Sequence, residues 1–227
     1  MHDFLEKYNN IRSIVNLTMD VDNADDYQLL ELCNAAIKNN VYSVLVESSS
    51  VSVVWNWCEK SDVKICVPIY VALDKAWIKD LEEAVSNGAA EIEINSNGYS
   101  KEMFEHIAST IKRVVHHQLF IKFVLNTDKI KISDISQITN EIAKHKLVDC
   151  IKINFSNSCF EAAYINALME SLQKNGAEIG IDVYCGKLNS HDLDSYLKLF
   201  SMIFKVPISY ELIRVSVTLR DFTNLWT

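Results

Sequence analysis

At 227 residues and 49% hydrophobic, the chain carries enough apolar material for one sizeable α/β core. Twenty-two basic against thirty acidic residues leave a net charge of −8, spread along the chain without a tail, so the surface repels phosphate backbones and no nucleic-acid partner is expected. The six cysteines, Cys33, Cys58, Cys66, Cys150, Cys159 and Cys185, form no C-x-x-C pair and read as reduced core thiols of a cytosolic protein.

The opening residues Met1-His2-Asp3-Phe4-Leu5-Glu6 are charged and lack an apolar h-region, and no stretch approaches eighteen uninterrupted apolar residues, so neither secretion nor a membrane span is expected. A first strand is predicted over 13–17. It is followed by a helix over 22–39, in which Leu29, Leu30, Leu32, Cys33, Ala36 and Ile37 form a stripe of period 3.6. The pattern then repeats: strand 42–46 with helix 50–59, 63–71 with 75–86, 91–95 with 101–116, 119–125 with 133–146, and 148–154 with 159–175. Strand 178–183 with helix 191–204, and a weaker strand at 211–215 with an amphipathic piece at 218–226, complete the series. Two prolines and five glycines are few for so many turns, which leaves Asn, Asp and Ser to make the loops.

Eight strands, each followed by a helix, within about 200 to 250 residues predict a single-domain α/β fold, the (β/α)8 TIM barrel, over 1–227. A doubly wound sheet needs fewer strands and usually a glycine-rich first turn, whereas the first turn here, Thr18-Met19-Asp20-Val21, has none. The strands read as near-continuous apolar runs, as strands covered on both faces should.

On this fold the chemistry is built at the carboxyl ends of the strands. The polar residues predicted there are Asn16, Glu47, Glu93, Lys122 with Asn126, Lys152 and Asp182. Lys152 is the most informative of them, because it ends the apolar run Leu147 to Ile151. A lysine that loses its proton through desolvation or a neighbouring cation can attack a carbonyl; the alternative is an amine snorkelling out of a strand end. His116 and His117 are adjacent and face different ways, and His106 adds no ligand spacing, so no metal site is predicted. Trp55 and Trp57 read as packing residues.

The segments Asn16-Leu17-Thr18, Tyr42-Ser43-Val44-Leu45-Val46, Ser61 to Cys66, Asn87-Gly88-Ala89-Ala90-Glu91-Ile92-Glu93, Ile121-Lys122-Phe123-Val124, Asp149-Cys150-Ile151-Lys152 and Ile179-Gly180-Ile181-Asp182 occur in the order and spacing of deoxyribose-phosphate aldolases. The chain resembles that family, in divergent form, from about residue 13 to about residue 217. The resemblance implies a class I aldolase, a carbon–carbon lyase that cleaves 2-deoxyribose 5-phosphate to glyceraldehyde 3-phosphate and acetaldehyde in deoxyribonucleotide catabolism. It implies Lys152 as the Schiff-base lysine, Glu93 at the position of a proton-transferring aspartate, Asp182 at the position of a second lysine, and Lys122 as the lysine of the fifth strand. It also implies an aldehyde or sugar-phosphate ligand, no cofactor, and a homodimer.

Four departures fall at strand ends. Asn16 replaces the aspartate of Asp-Leu-Thr; Ile153-Asn154-Phe155-Ser156 replaces Thr-Ser-Thr-Gly; Asp182 replaces the second lysine; and Ile213-Arg214-Val215-Ser216 replaces a Gly-x-Ser-Ser phosphate cradle. Gly186 and Ser216 are what remains for a phosphate, with Arg214 and Lys187 expected as solvated surface cations. A carboxylate at 182 is expected to pair with Lys152 and hold it protonated, since an ion pair at about 4 Å and an effective dielectric near 20 is worth roughly 4 kcal/mol before desolvation. On that footing the alternative is a catalytically impaired homologue that binds or regulates a partner.

Overall fold

The computed structural model describes residues 11–19, 24–72, 76–96, 98–115, 119–155, 161–186, 189–204 and 212–226. Cys159, His116, His117 and Lys187 lie outside them. Eight parallel strands close into a barrel in sequence order: β1 Val15–Thr18, β2 Ser43–Leu45, β3 Lys64–Val71, β4 Glu91–Ser96, β5 Phe120–Asn126, β6 Cys150–Phe155, β7 Gly180–Cys185 and β8 Ile213–Thr218. Each is followed by a helix: α1 Asp26–Asn39, α2 Val51–Cys58, α3 Ala76–Ser86, α4 Lys101–Val114, α5 Ile135–His145, α6 Ala162–Asn175, α7 Ser190–Phe204 and α8 Leu219–Trp226. The (β/α)8 barrel predicted from the pattern is the one observed. β8 begins two residues later than predicted, and short 3₁₀ turns precede β1, α2 and α5. No described helix is long and apolar enough to cross a membrane.

The helix ends follow from local chemistry. Asp25 caps α1 and exchanges hydrogen bonds with Gln28 in a capping box; Asn40 then ends the helix in the left-handed region at φ 51°. Ser100 caps α4 through the Met103 amide. Gly88, at φ 98°, turns the chain from α3 toward β4 in a conformation that a side chain would strain, with the Trp55 ring packed 3.4 Å from where a Cβ would sit.

The strands are not continuous apolar runs, and here the structure corrects the reading of the sequence. They alternate. Ile92, Ile94, Ile121, Phe123, Ile151, Ile153, Ile181, Val183, Ile213, Val215 and Val217 are buried in one apolar cluster with the helix residues Leu32, Trp77, Leu81, Phe104, Ile142, Leu168, Leu172 and Phe200. The residues between them are Glu91, Glu93, Lys122, Lys152, Asp182, Arg214, Asn16, Ser43 and Ser216, all buried. Because successive side chains leave a strand on opposite faces, these polar groups converge inside the barrel. A barrel interior is usually filled by branched apolar side chains; this one holds three carboxylates and three cations, which balance.

The described cysteines, Cys33, Cys58, Cys66, Cys150 and Cys185, are buried and free of disulfides. Arg214, expected at the surface, is 1% exposed: as the second residue of β8 it faces inward, not into a loop.

Candidate active site

The floor of the interior is set by β4, β5 and β8. Glu91 opens β4 and accepts a hydrogen bond from Arg214 Nη1 at 2.6 Å. The guanidinium is clasped between the rings of Tyr42 and Phe120, 4.1 and 3.9 Å from their centroids. Above it, Lys122 Nζ lies 3.2 Å from Glu91 Oε2, 3.4 Å from Glu93 Oε1 and 3.5 Å from Asp182 Oδ2. Burial opposes the Lys122 charge, but the facing groups Cys66, Glu91, Glu93 and Asp182 push its pKa well above 10.5. Burial holds the Cys66 thiol neutral, so the three carboxylates supply that stabilisation.

Asp182 sits in the same layer, on β7. It accepts hydrogen bonds from Asn16 Nδ2 at 2.9 Å and from Ser216 Oγ at 2.9 and 3.0 Å. Ser43 donates to Asn16 Oδ1 at 2.6 Å. Burial works against the Asp182 carboxylate, yet Lys122, Lys152 and the Ser216 hydroxyl overcome it and hold its pKa below the ordinary value of 3.8.

Lys152 and Glu93 occupy the upper layer. Lys152 Nζ donates to both carboxylate oxygens of Glu93 at 2.8 Å and lies 5.4 Å from the centroid of the Tyr184 ring. Burial by itself lowers the lysine pKa; Glu93 and Asp182 outweigh burial and Lys122, and the net shift is upward from 10.5. Both residues line a cavity of about 150 Å³ at the carboxyl ends of the strands, with Thr18, Leu45, Pro68, Tyr70, Asn95, Val124, Asn154 and Tyr184. Asn154 is fixed by donating to Asn126 Oδ1 at 2.7 Å.

The structure therefore brings Lys152, Glu93, Lys122, Asp182, Asn16 and Ser216 into one interior network, in a different arrangement from the expected one. The carboxylate that holds Lys152 is Glu93; Asp182 is its register neighbour on β7 and bonds elsewhere. Asn16 and Ser216 are 2% exposed and committed to Asp182, so neither is presented at the mouth. Gly186 follows β7 in a turn, half-buried. Glu47 is exposed at the end of β2. The network and cavity residues missed in the sequence are Glu91 and Arg214 below, and Asn95, Asn154, Tyr70 and Tyr184 above. The signal that finds Glu91, Asn95 and Asn154 is the strict two-residue alternation of Glu91-Ile92-Glu93-Ile94-Asn95 and Ile151-Lys152-Ile153-Asn154-Phe155.

The fold is similar to that of several solved (β/α)8 barrels, aldolases among them. The fold superposes on a deoxyribose-phosphate aldolase from Aeropyrum pernix, described as a tetramer, with a TM-score of 0.75 and 12% identity over 99% of this chain and 94% of that one. It matches QR15, an aldolase, at a TM-score of 0.74 and 14% identity over 96% and 97% of the two chains. An HpcH/HpaI aldolase from Desulfitobacterium hafniense follows the same barrel at 0.62 and 10% identity, over 96% and 92%. In sequence the chain resembles deoxyribose-phosphate aldolases as a divergent relative. It is 28% identical to that enzyme of Histophilus somni (strain 2336) over 96 residues, 40% of this chain. The match spans 43% of the length of that relative, and no family model matches the sequence.

Proposed function

We propose that the protein is a Schiff-base aldolase-like lyase in which Lys152 is the nucleophile and Glu93 the proton carrier. The observation that carries this reading is the position of the Lys152 amine: on the wall of an open cavity at the barrel mouth, bonded to a single carboxylate that can take its proton. With an aldehyde in the cavity, Glu93 accepts a proton from the ammonium and the free amine attacks the carbonyl carbon. Glu93 returns that proton to the carbinolamine hydroxyl, which leaves as water, so the iminium forms with Glu93 again a carboxylate. In the sugar that the resemblance implies, ring-opened 2-deoxyribose 5-phosphate, the iminium draws electrons from the C2–C3 bond as Glu93 removes the C3 hydroxyl proton. That bond breaks, releasing glyceraldehyde 3-phosphate. The remaining enamine is protonated at C2 and hydrolysed to acetaldehyde and the free lysine.

A second reading, a barrel that binds without turning over, is favoured by one observation: the two 2.8 Å contacts that hold Lys152 charged. Borohydride trapping separates the two. The protein is incubated with acetaldehyde, and separately with 2-deoxyribose 5-phosphate, reduced, and weighed intact beside Lys152→Ala. A mass gain absent from the variant supports the lyase; no adduct across the pH range favours the binding barrel. A homodimer in the cytosol belongs to this reading on the resemblance, and sedimentation velocity measures the assembly.

A further inference from the structure

A second cleft, of about 260 Å³, opens beside the Lys152 cavity over β1, β2 and β3. Thr18, Leu45, Pro68 and Tyr70 line both, so the two adjoin along a shared wall. Beyond that shared wall the cleft is lined by Leu29 and Val46 on an apolar side, and by Glu47, Ser49 and Ser50 on a polar one. Tyr70, 63% exposed, stands between the two hollows and offers a flat ring to whatever crosses.

We propose that this cleft is a subsite for the hydroxylated tail of an unphosphorylated sugar aldehyde whose carbonyl lies at Lys152. The proposal rests on the Schiff-base reading for the placement of the carbonyl, and on the cleft's own chemistry for the nature of the tail. Hydroxyls of Thr18, Ser49 and Ser50 exchange hydrogen bonds with neutral hydroxyls, the Glu47 carboxylate accepts them, and the Tyr70 ring covers the apolar C–H face of a sugar chain. A phosphate could take hydrogen bonds from the same hydroxyls, but the charge of the lining opposes it. Among the described residues lining the two hollows, Lys152 is the one cation and it is offset by Glu93, so Glu47 leaves the lining one charge negative. Nor does the start of α8, at the end of β8, receive an anion from outside. Thr218 Oγ1 donates to Asp221 Oδ2 at 3.0 Å and accepts from the Asp221 amide at 3.1 Å, so the helix terminus already faces a carboxylate of its own.

The test uses ligands that have no carbonyl, which keeps it independent of Lys152. The full chain is titrated calorimetrically with ribitol and with ribitol 5-phosphate, alongside acetaldehyde trapping. Ribitol is expected to bind at least about tenfold more tightly than its phosphate, by like-charge exclusion. Ser49→Trp, which fills the cleft, is expected to abolish ribitol binding and leave acetaldehyde trapping unchanged. Glu47→Lys, an exposed substitution that tests the idea if the tryptophan variant folds poorly, is expected to shift the preference toward the phosphate. Equal or tighter binding of the phosphate by the wild-type protein, or no binding of ribitol, overturns the subsite even where acetaldehyde is trapped. Discriminating ribitol binding without any trapped aldehyde leaves the subsite standing and removes the lyase.

Discussion

Asn16 on β1 donates its side-chain amide to Asp182 on β7 over 2.9 Å, and Ser216 on the intervening β8 donates to the same carboxylate. The two positions at which deoxyribose-phosphate aldolases are expected to carry an aspartate and a lysine are thus in direct contact here, as an amide and a carboxylate. On that resemblance, two departures that look separate along the chain form one contact, an amide and a carboxylate where the family pattern has a carboxylate and an ammonium.

That coupling makes the exchange reversible only in pairs. Asp182→Lys alone is expected to leave four buried cations facing two carboxylates and to cost roughly 3–5 kcal/mol, as removal of one partner from a buried pair does. Asn16→Asp with Asp182→Lys is expected to regain at least half of that loss and, by placing an ammonium beside Lys152, to raise the yield of trapped acetaldehyde at neutral pH. Urea midpoints of the single and double variants, with trapping yields, decide it. A double variant no more stable than the single one sinks the coupling.

Glu93→Gln separates the nucleophile from the proton carrier. With the largest upward influence on Lys152 removed, burial and Lys122 act together and its pKa falls, gaining about tenfold in free amine for each unit. Trapping of acetaldehyde at pH 7 is therefore expected to quicken. Cleavage of a sugar aldehyde is expected to slow by about 10²–10⁴, because nothing is left to take the hydroxyl proton. Slower trapping in the variant than in the wild type at pH 7 contradicts the assignment of Glu93 as the group that holds Lys152 charged.

How much of this was legible in the sequence differs between elements. The strands and helices were, because each carries its own period and its own ends: Asp25 and Ser100 start helices, and Asn40 stops one. The inward face was also written there, in the alternation of Ile213-Arg214-Val215-Ser216-Val217-Thr218, yet Arg214, although inside the predicted strand, was expected as a solvated surface cation because a charge so rarely points into a barrel. Which charges meet was not legible. Lys152 reaches Glu93 across 59 residues and two strand pairings, and the stagger of a closed barrel decides whether β4 or β7 presents the nearer carboxylate. Period-2 patterning gives the face of a strand; only closure gives the partner.

Stability should depend on pH with a sign fixed by these pairs. Lys122 and Lys152 are raised in the folded barrel, so their contribution is complete below the ordinary value of 10.5 and is lost as pH rises through the folded values. Glu91 and Asp182 are lowered by their lysine and arginine neighbours. Their contribution is complete above the ordinary values of 4.5 and 3.8 and is lost as pH falls through the folded ones. Unfolding free energy from urea titrations is expected to be nearly flat from about pH 5 to about pH 8 and to fall on both sides, the buried thiols of Cys66 and Cys150 adding to the alkaline loss. A protein that keeps its full stability at both extremes does not hold these groups ionised inside.

The floor and the mouth of the barrel should answer differently to substitution. Arg214 is clasped by Tyr42 and Phe120 and bonded to Glu91, while the Lys152 amine is bonded to Glu93 at the wall of the cavity. Arg214→Met keeps most of the volume between the rings but leaves Glu91 to Lys122 alone, and is expected to cost roughly 3 kcal/mol or more in urea unfolding. Adding Glu91→Met removes the orphaned charge, leaves Lys122 with Glu93 and Asp182, and is expected to bring stability back to within about 1 kcal/mol of the wild type. Through both changes the rate of acetaldehyde trapping at Lys152 is expected to stay within about twofold, since the first neighbours of that amine are untouched. A double variant as unstable as the single one makes the clasp a packing device and not a charge pair; a collapse of trapping in a well-folded double variant makes Glu91 and Arg214 part of the chemistry at the mouth.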